Sequence, residues 1–169
     1  MTTRSVTPRR VVVAALAAVG ACIAAYLALF QIKLLHSVWD PFPGQGSAWI
    51  LRRSPLVRWL GFPDAAIGVL VYAAEVALDL WGDDRRASTQ PWVVVAAGVI
   101  AAGMALGSLG LVVLQAIFRH WCFLCLASAV VSVAIAVLLA HEVLAAVRTV
   151  RRPGLTTSPA RDHNRVGAS

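Results

Sequence analysis

The chain has 169 residues, 59% hydrophobic and only 14% charged, with a mean hydropathy of +0.76 and a formal net charge of +7. A soluble domain carries about 25% charged residues, so a soluble helical protein with a very apolar core fits poorly. The basic residues show no clustered surface with interleaved aromatics, which argues against nucleic acid as a partner.

Four segments approach the roughly 20 predominantly apolar residues that a helix needs to cross a bilayer. The composition therefore predicts an all-α, integral membrane four-helix bundle. A short basic lead, residues 1–10, comes first. The first span is Val11 to Phe30, which holds no charge. Val19-Gly20-Ala21-Cys22 resembles a lipoprotein cleavage box. The apolar run continues past it to Phe30, so a retained helix is the better reading. Cys22 is expected to be a small packing residue within this span.

The longest connection, residues 36–62, has turn chemistry at Asp40-Pro41 and Pro43-Gly44. Its later part, from Trp49 to Leu60, is too broken by Arg52, Arg53 and Pro55 to span. It reads as an amphipathic piece on the bundle mouth or in the interface. The second span is about Pro63 to Trp81. Asp64 sits at its start, where an Asp ordinarily satisfies free amides, although it could also face a ligand at the bundle mouth. Glu75 lies roughly 18 Å into a core of about 30 Å. At that depth an ionisable group is a functional candidate, unless it is protonated or reaches the boundary. Tyr72, Glu75 and Asp79 follow an i, i+3, i+7 pattern and share one face.

A short polar connection, Gly82 to Gln90, leads to the third span, about Trp92 to Leu114. It contains Gly103-Met104-Ala105-Leu106-Gly107, a GxxxG expected to serve close packing inside the bundle rather than homodimerisation. The fourth span is about Cys122 to Val143 or Val147. The domain limits expected are a cytoplasmic lead 1–10, a four-helix membrane domain 11–147 with an outer loop 36–62, and a cytoplasmic, disordered tail 148–169. With the N-terminus inside, ten arginines (4, 9, 10, 85, 86, 148, 151, 152, 161 and 165) face the cytoplasm. Only Lys33, Arg52, Arg53, Arg58 and Arg119 face out. This fits the positive-inside rule with both termini cytoplasmic.

Cys122-Phe123-Leu124-Cys125 carries the chemistry. The two thiols share one helix face at i and i+3. A helix beginning near Trp121 would put Cys122 in its first turn, where the macrodipole favours a thiolate. Arg119 and His120 just upstream could add positive charge. Such a thiolate suits disulfide exchange. Two buried structural thiols or a static disulfide remain alternatives. No second Cys or His pair stands near enough to complete a zinc site, so no metal is expected. Cys22 lies roughly 14 Å below the outer boundary and Cys125 about 5 Å, a mismatch too large for a disulfide with Cα atoms within about 7 Å.

These residues resemble the vitamin K epoxide reductase family, in its bacterial branch. The resemblance covers roughly residues 10–147. It rests on Trp121-Cys122-Phe123-Leu124-Cys125-Leu126-Ala127-Ser128-Ala129, on Leu60-Gly61-Phe62-Pro63-Asp64 through Gly68 to Tyr72, and on Asp40-Pro41-Phe42-Pro43-Gly44-Gln45-Gly46-Ser47. It implies a helical bundle around a quinone of menaquinone or ubiquinone type in a bacterial cell membrane. Cys122 and Cys125 would pass electrons from thiols to that quinone, beside Asp64, Phe123 and Ala129. Asp64 matches an Asn that hydrogen-bonds a quinone carbonyl in animal members. The sequence departs from the pattern in two places. The outer-loop cysteines that shuttle electrons are absent, with Trp39 and Ser47 in their place, and Ala127-Ser128-Ala129 lacks a Tyr that faces the quinone in animal enzymes. The thiol donor is then expected to be a separate thioredoxin-like protein outside the cytoplasm. A non-catalytic, quinone-binding scaffold is the alternative. A small transporter using Glu75 has less support, for want of a broken helix.

Overall fold

A computed structural model describes residues 8–41, 46–53, 61–81 and 89–151. The first seven residues, the Pro43-Gly44 turn, the second half of the amphipathic piece, most of the connection 82–90 and the tail from 152 lie outside the described residues. Five helices occur among the described residues: α1 Pro8–Gln31, α2 Gly46–Arg52, α3 Asp64–Leu80, α4 Pro91–Phe118 and α5 Phe123–Arg151. No strand occurs among the described residues.

Three helices, α1, α4 and α5, are long and apolar enough to cross a membrane. At about 1.5 Å per residue each exceeds a hydrocarbon core of about 30 Å. Their outward faces carry large exposed apolar side chains, among them Val19, Leu106, Ile117, Val130 and Val137. Such continuous apolar surface suits lipid rather than water. The chain is an all-α membrane protein. Four spans were expected, and length and composition single out three. The fourth helix, α3, has 17 residues and includes Asp64, Glu75 and Asp79.

Pairing follows from side-chain size. α1 buries Ala14, Ala17, Gly20 and Ala24 along one stripe, and α3 lies against it in the opposite direction. The Tyr72 ring fills the space where a Gly20 side chain would stand. Gly98 of α4 likewise gives way to Val143 of antiparallel α5. The core joins these pairs through Val13, Ala17, Tyr72, Ala97, Ala101, Ile135 and Leu139. α1 also packs on α5, whereas α3 and α4 meet sparsely. That gap becomes the cavity described below.

Three expectations need correction. Arg10 was placed in the aqueous lead, yet it is 3% exposed within the first turns of α1. Its guanidinium donates to the backbone carbonyls of Asp79, from Nε at 3.0 Å and Nη2 at 2.5 Å, and of Trp81 from Nη2 at 2.8 Å. It thereby satisfies carbonyls left open at the end of α3. Cys22 is exposed on α1 rather than packed. Gly103 and Gly107 have no neighbour within 4 Å of an added Cβ, so the GxxxG makes no close helix contact in this chain. The stripe read from spacing does form: Tyr72, Glu75 and Asp79 are the buried residues of α3.

Candidate functional site

Cys122 is the last residue before α5, and it caps that helix. Its carbonyl accepts the amide of Leu126 at 3.0 Å, and its sulfur accepts the amide of Cys125 at 3.3 Å. A side-chain acceptor at this position satisfies an amide that has no partner inside the helix. The amide of Cys122 in turn donates to Gln115 Oε1 at 2.7 Å. Gln115 is 1% exposed in the penultimate turn of α4, and a buried amide side chain is tolerated only when hydrogen-bonded. α4 ends at Arg119 in the left-handed region, φ 54°, with the His120 amide donating to the Gln115 carbonyl at 3.2 Å. One glutamine therefore ties the end of α4 to the start of α5.

Both thiols are free, and Cys122 is fully buried. The Cys125 side chain, hydrogen-bonded to the Cys122 sulfur, lowers the Cys122 thiol to about 7, with help from the Ser47 hydroxyl and the Cys125 amide. Burial and the Asp40 carboxylate push the other way. Arg119 and His120, expected to supply positive charge, lie just upstream of the motif. Arg119 is exposed at the α4 cap. The His120 ring stacks on Trp49 at 4.0 Å, with Nδ1 2.6 Å from the Phe118 carbonyl oxygen.

The loop after α1 folds over this motif. The Trp39 amide donates to the Tyr26 hydroxyl at 3.1 Å, and the Ser47 amide to Asp40 Oδ2 at 3.0 Å. Trp39 meets Phe123 edge-on at 5.7 Å. Trp39 and Ser47 thus both lie against the CxxC, Trp39 on Phe123 and Ser47 beside Cys122. Gly46 admits α2 closely, because a Cβ there would strike the Trp121 carbonyl oxygen. Leu51 packs with Leu27 and Phe30 and anchors the other end of α2.

Beneath α2 lies a cavity of about 1070 Å³, lined by all five helices. This lies just above the roughly 300–1,000 Å³ usual for small-molecule sites. Its wall is mainly apolar, including Leu27, Ile67, Val71, Ile100, Met104, Leu111 and Leu114, with Gly103, Gly107 and Gly110 along α4. Polar groups stand at two levels. Near the mouth are Cys125, Gln115 and Asp64. Gln31 Nε2 donates to Asp64 Oδ1, while Gln31 Oε1 accepts the Ala65 amide at 3.1 Å. Deeper are the hydroxyls of Tyr72, Ser108, Ser128 and Ser132.

Cys125 and Asp64 therefore come together on one wall. Cys122, Phe123 and Ala129 are not among the lining residues: Cys122 lies under α2, Phe123 faces Trp39, and Ala129 is buried at 6% exposure. Glu75 is fully buried, one turn beyond Tyr72 toward the Arg10 end, and also outside the lining. The sequence reading missed Gln115, Ser108 and Ser132. Ser108 and Ser132 carried a signal, as polar side chains within otherwise apolar spans, whereas Gln115 fell just past the expected end of its span at Leu114.

No curated protein matches the chain. The model of the vitamin K epoxide reductase family matches residues 11–140, which contain the CxxC, the loop above it and the cavity. The chain belongs to the vitamin K epoxide reductase family.

Proposed function

We propose that this protein is a membrane thiol–quinone oxidoreductase in which Cys122 and Cys125 pass electrons from a partner's thiols to a quinone held in the cavity. Family membership supports the general activity. The observation that carries the specific reading is the division of labour within the CxxC. Cys125 lines the apolar cavity, while Cys122 lies beneath the loop with its thiol lowered to about 7. The cavity volume and its few polar groups suit a ring with an isoprenoid tail.

In the reductive half, a thiolate of a separate thioredoxin-like protein attacks Cys122 of the Cys122–Cys125 disulfide. The S–S bond breaks and Cys125 leaves as thiolate. The partner's second thiol then resolves the mixed disulfide, freeing Cys122. In the oxidative half, the two thiols close to a disulfide again. Their two electrons and two protons pass to the quinone, which leaves as quinol. Asp64, held by Gln31, lies near one ring oxygen, with Phe123 and Ala129 supporting the motif from behind. Glu75, Arg119 and His120 act at a distance from the reacting sulfurs.

The topology proposed has four crossings and both termini cytoplasmic, with the CxxC on the extracytoplasmic side of a bacterial cell membrane. α3 supports the fourth crossing because its ends match those of α1, Asp64 beside Gln31 and Asp79 beside Arg10. The test is reduction of menaquinone and ubiquinone analogues by purified protein with a dithiol donor. Thiol-dependent turnover is expected, abolished in Cys122→Ser and in Cys125→Ser. Full burial of Cys122 favours a second reading, a non-catalytic quinone-binding member. A pair whose redox state ignores both quinone and dithiol would establish that one instead.

A further inference from the structure

Four hydroxyls from three helices converge on the inner wall of the cavity. The Tyr72 hydroxyl oxygen lies 2.7 Å from Ser132 Oγ, 2.9 Å from Ser128 Oγ and 3.0 Å from the Ser128 carbonyl oxygen. Ser108 Oγ donates to Ser132 Oγ at 3.1 Å, and Ser132 Oγ donates to the Ser128 carbonyl at 3.0 Å. A hydroxyl has one hydrogen to give and two lone pairs to receive. Ser132 receives from Ser108, and its own hydrogen can go to the Ser128 carbonyl or to the Tyr72 oxygen. Ser128 is left with one partner, the Tyr72 oxygen. When Ser132 gives its hydrogen to the phenol oxygen, the phenol gives its own to Ser128 Oγ, and the Ser128 hydrogen is left to point into the cavity. Ser128 is half-buried and lines the cavity one turn below Cys125.

We infer that Ser128 is a hydrogen-bond donor to an oxygen of the bound substrate, with Tyr72 and Ser132 as the positioning residues that set its direction. This rests on the proposed quinone reading and adds a named contact to it. A ring beside Cys125 would present one carbonyl oxygen toward Ser128 and the other toward the mouth. Hydrogen bonding to that oxygen strengthens as electrons arrive, because the charge develops there.

The test is infrared difference spectroscopy of menaquinone bound to the purified protein, each carbonyl carbon labelled in turn, alongside steady-state kinetics. In the wild type one carbonyl stretch should shift to lower frequency. Ser128→Ala should return that band toward its free position and raise KM about tenfold, the loss expected for one buried hydrogen bond. Ser128→Thr, which keeps the hydroxyl, should preserve the shift even if packing suffers, and Tyr72→Phe should weaken it. A carbonyl spectrum unchanged by Ser128→Ala overturns the inference and leaves thiol–quinone turnover standing. A Ser128-dependent shift without thiol-dependent reduction upholds the inference and overturns the redox reading. Failure of the wild type to bind quinone overturns both.

Discussion

Cys122, the proposed redox sulfur, is also a helix cap, and the amide it accepts favours its thiolate. With the thiol lowered to about 7 by Cys125 and Ser47, the thiolate is present above pH 7 and is lost as pH falls through that value. Peptide-resolved alkylation of the reduced protein should therefore show a Cys122 midpoint near pH 7. A midpoint at the ordinary thiol value of about 8.5 would contradict the geometry. Asp40→Asn removes a repelling charge and should move the midpoint down. Gln115→Leu leaves the Cys122 amide buried without an acceptor. It should cost about 1–3 kcal/mol, read as a lowered melting temperature in detergent. The CxxC was legible because a two-residue spacing is itself the chemical pattern. Gln115 was not, because its role depends on α4 running on to Phe118, past the expected end at Leu114, and turning back through a left-handed Arg119.

The helices differ in how they are held. α2 is short, closes over Cys122 and depends on Gly46 for its approach to the Trp121 carbonyl. Gly46→Ala should lift α2, and faster Cys122 alkylation at fixed pH would measure this. α4 presents the opposite case, because an added side chain at Gly107 meets nothing within 4 Å. Gly107→Leu removes a helix-interior glycine and should gain about 0.5–1 kcal/mol of stability. It also fills the cavity, so quinone turnover should fall as thermal stability rises. A glycine kept for helix contact would give the reverse stability effect. Spacing alone could not separate these roles, since a GxxxG looks the same whether it faces a helix or a void. The limits of α1, α3 and α5 were readable to within a few residues because hydrophobic run length sets them directly.

At the scale of the whole molecule, two antiparallel helix pairs leave a gap between α3 and α4, and the gap is the candidate site. The bundle was foreseeable from four apolar runs and short connections, but the gap was not. It arises where small residues on α4 face α3 across a distance that only tertiary packing fixes. The tyrosine–serine cluster was hidden for the same reason, as Tyr72 and Ser132 are 60 residues apart in sequence. Arg10 shows a further consequence of distance along the chain. Its acceptors, the carbonyls of Asp79 and Trp81, follow it by 69 and 71 residues. On the proposed topology Arg10 stands at the cytoplasmic face, so while the nascent chain is shorter than that its charge helps to fix the orientation of α1. Once α3 is complete, the same group becomes a clasp. On that topology one arginine serves twice, first to orient and later to lock. The two uses separate experimentally. Arg10→Lys should keep the orientation read by a terminal reporter but lose the forked contact, at a cost of about 1.5–3 kcal/mol. Arg10→Leu should lose the clasp and also relax the orientation. On that topology, the order in which segments emerge is part of how this bundle acquires its stability.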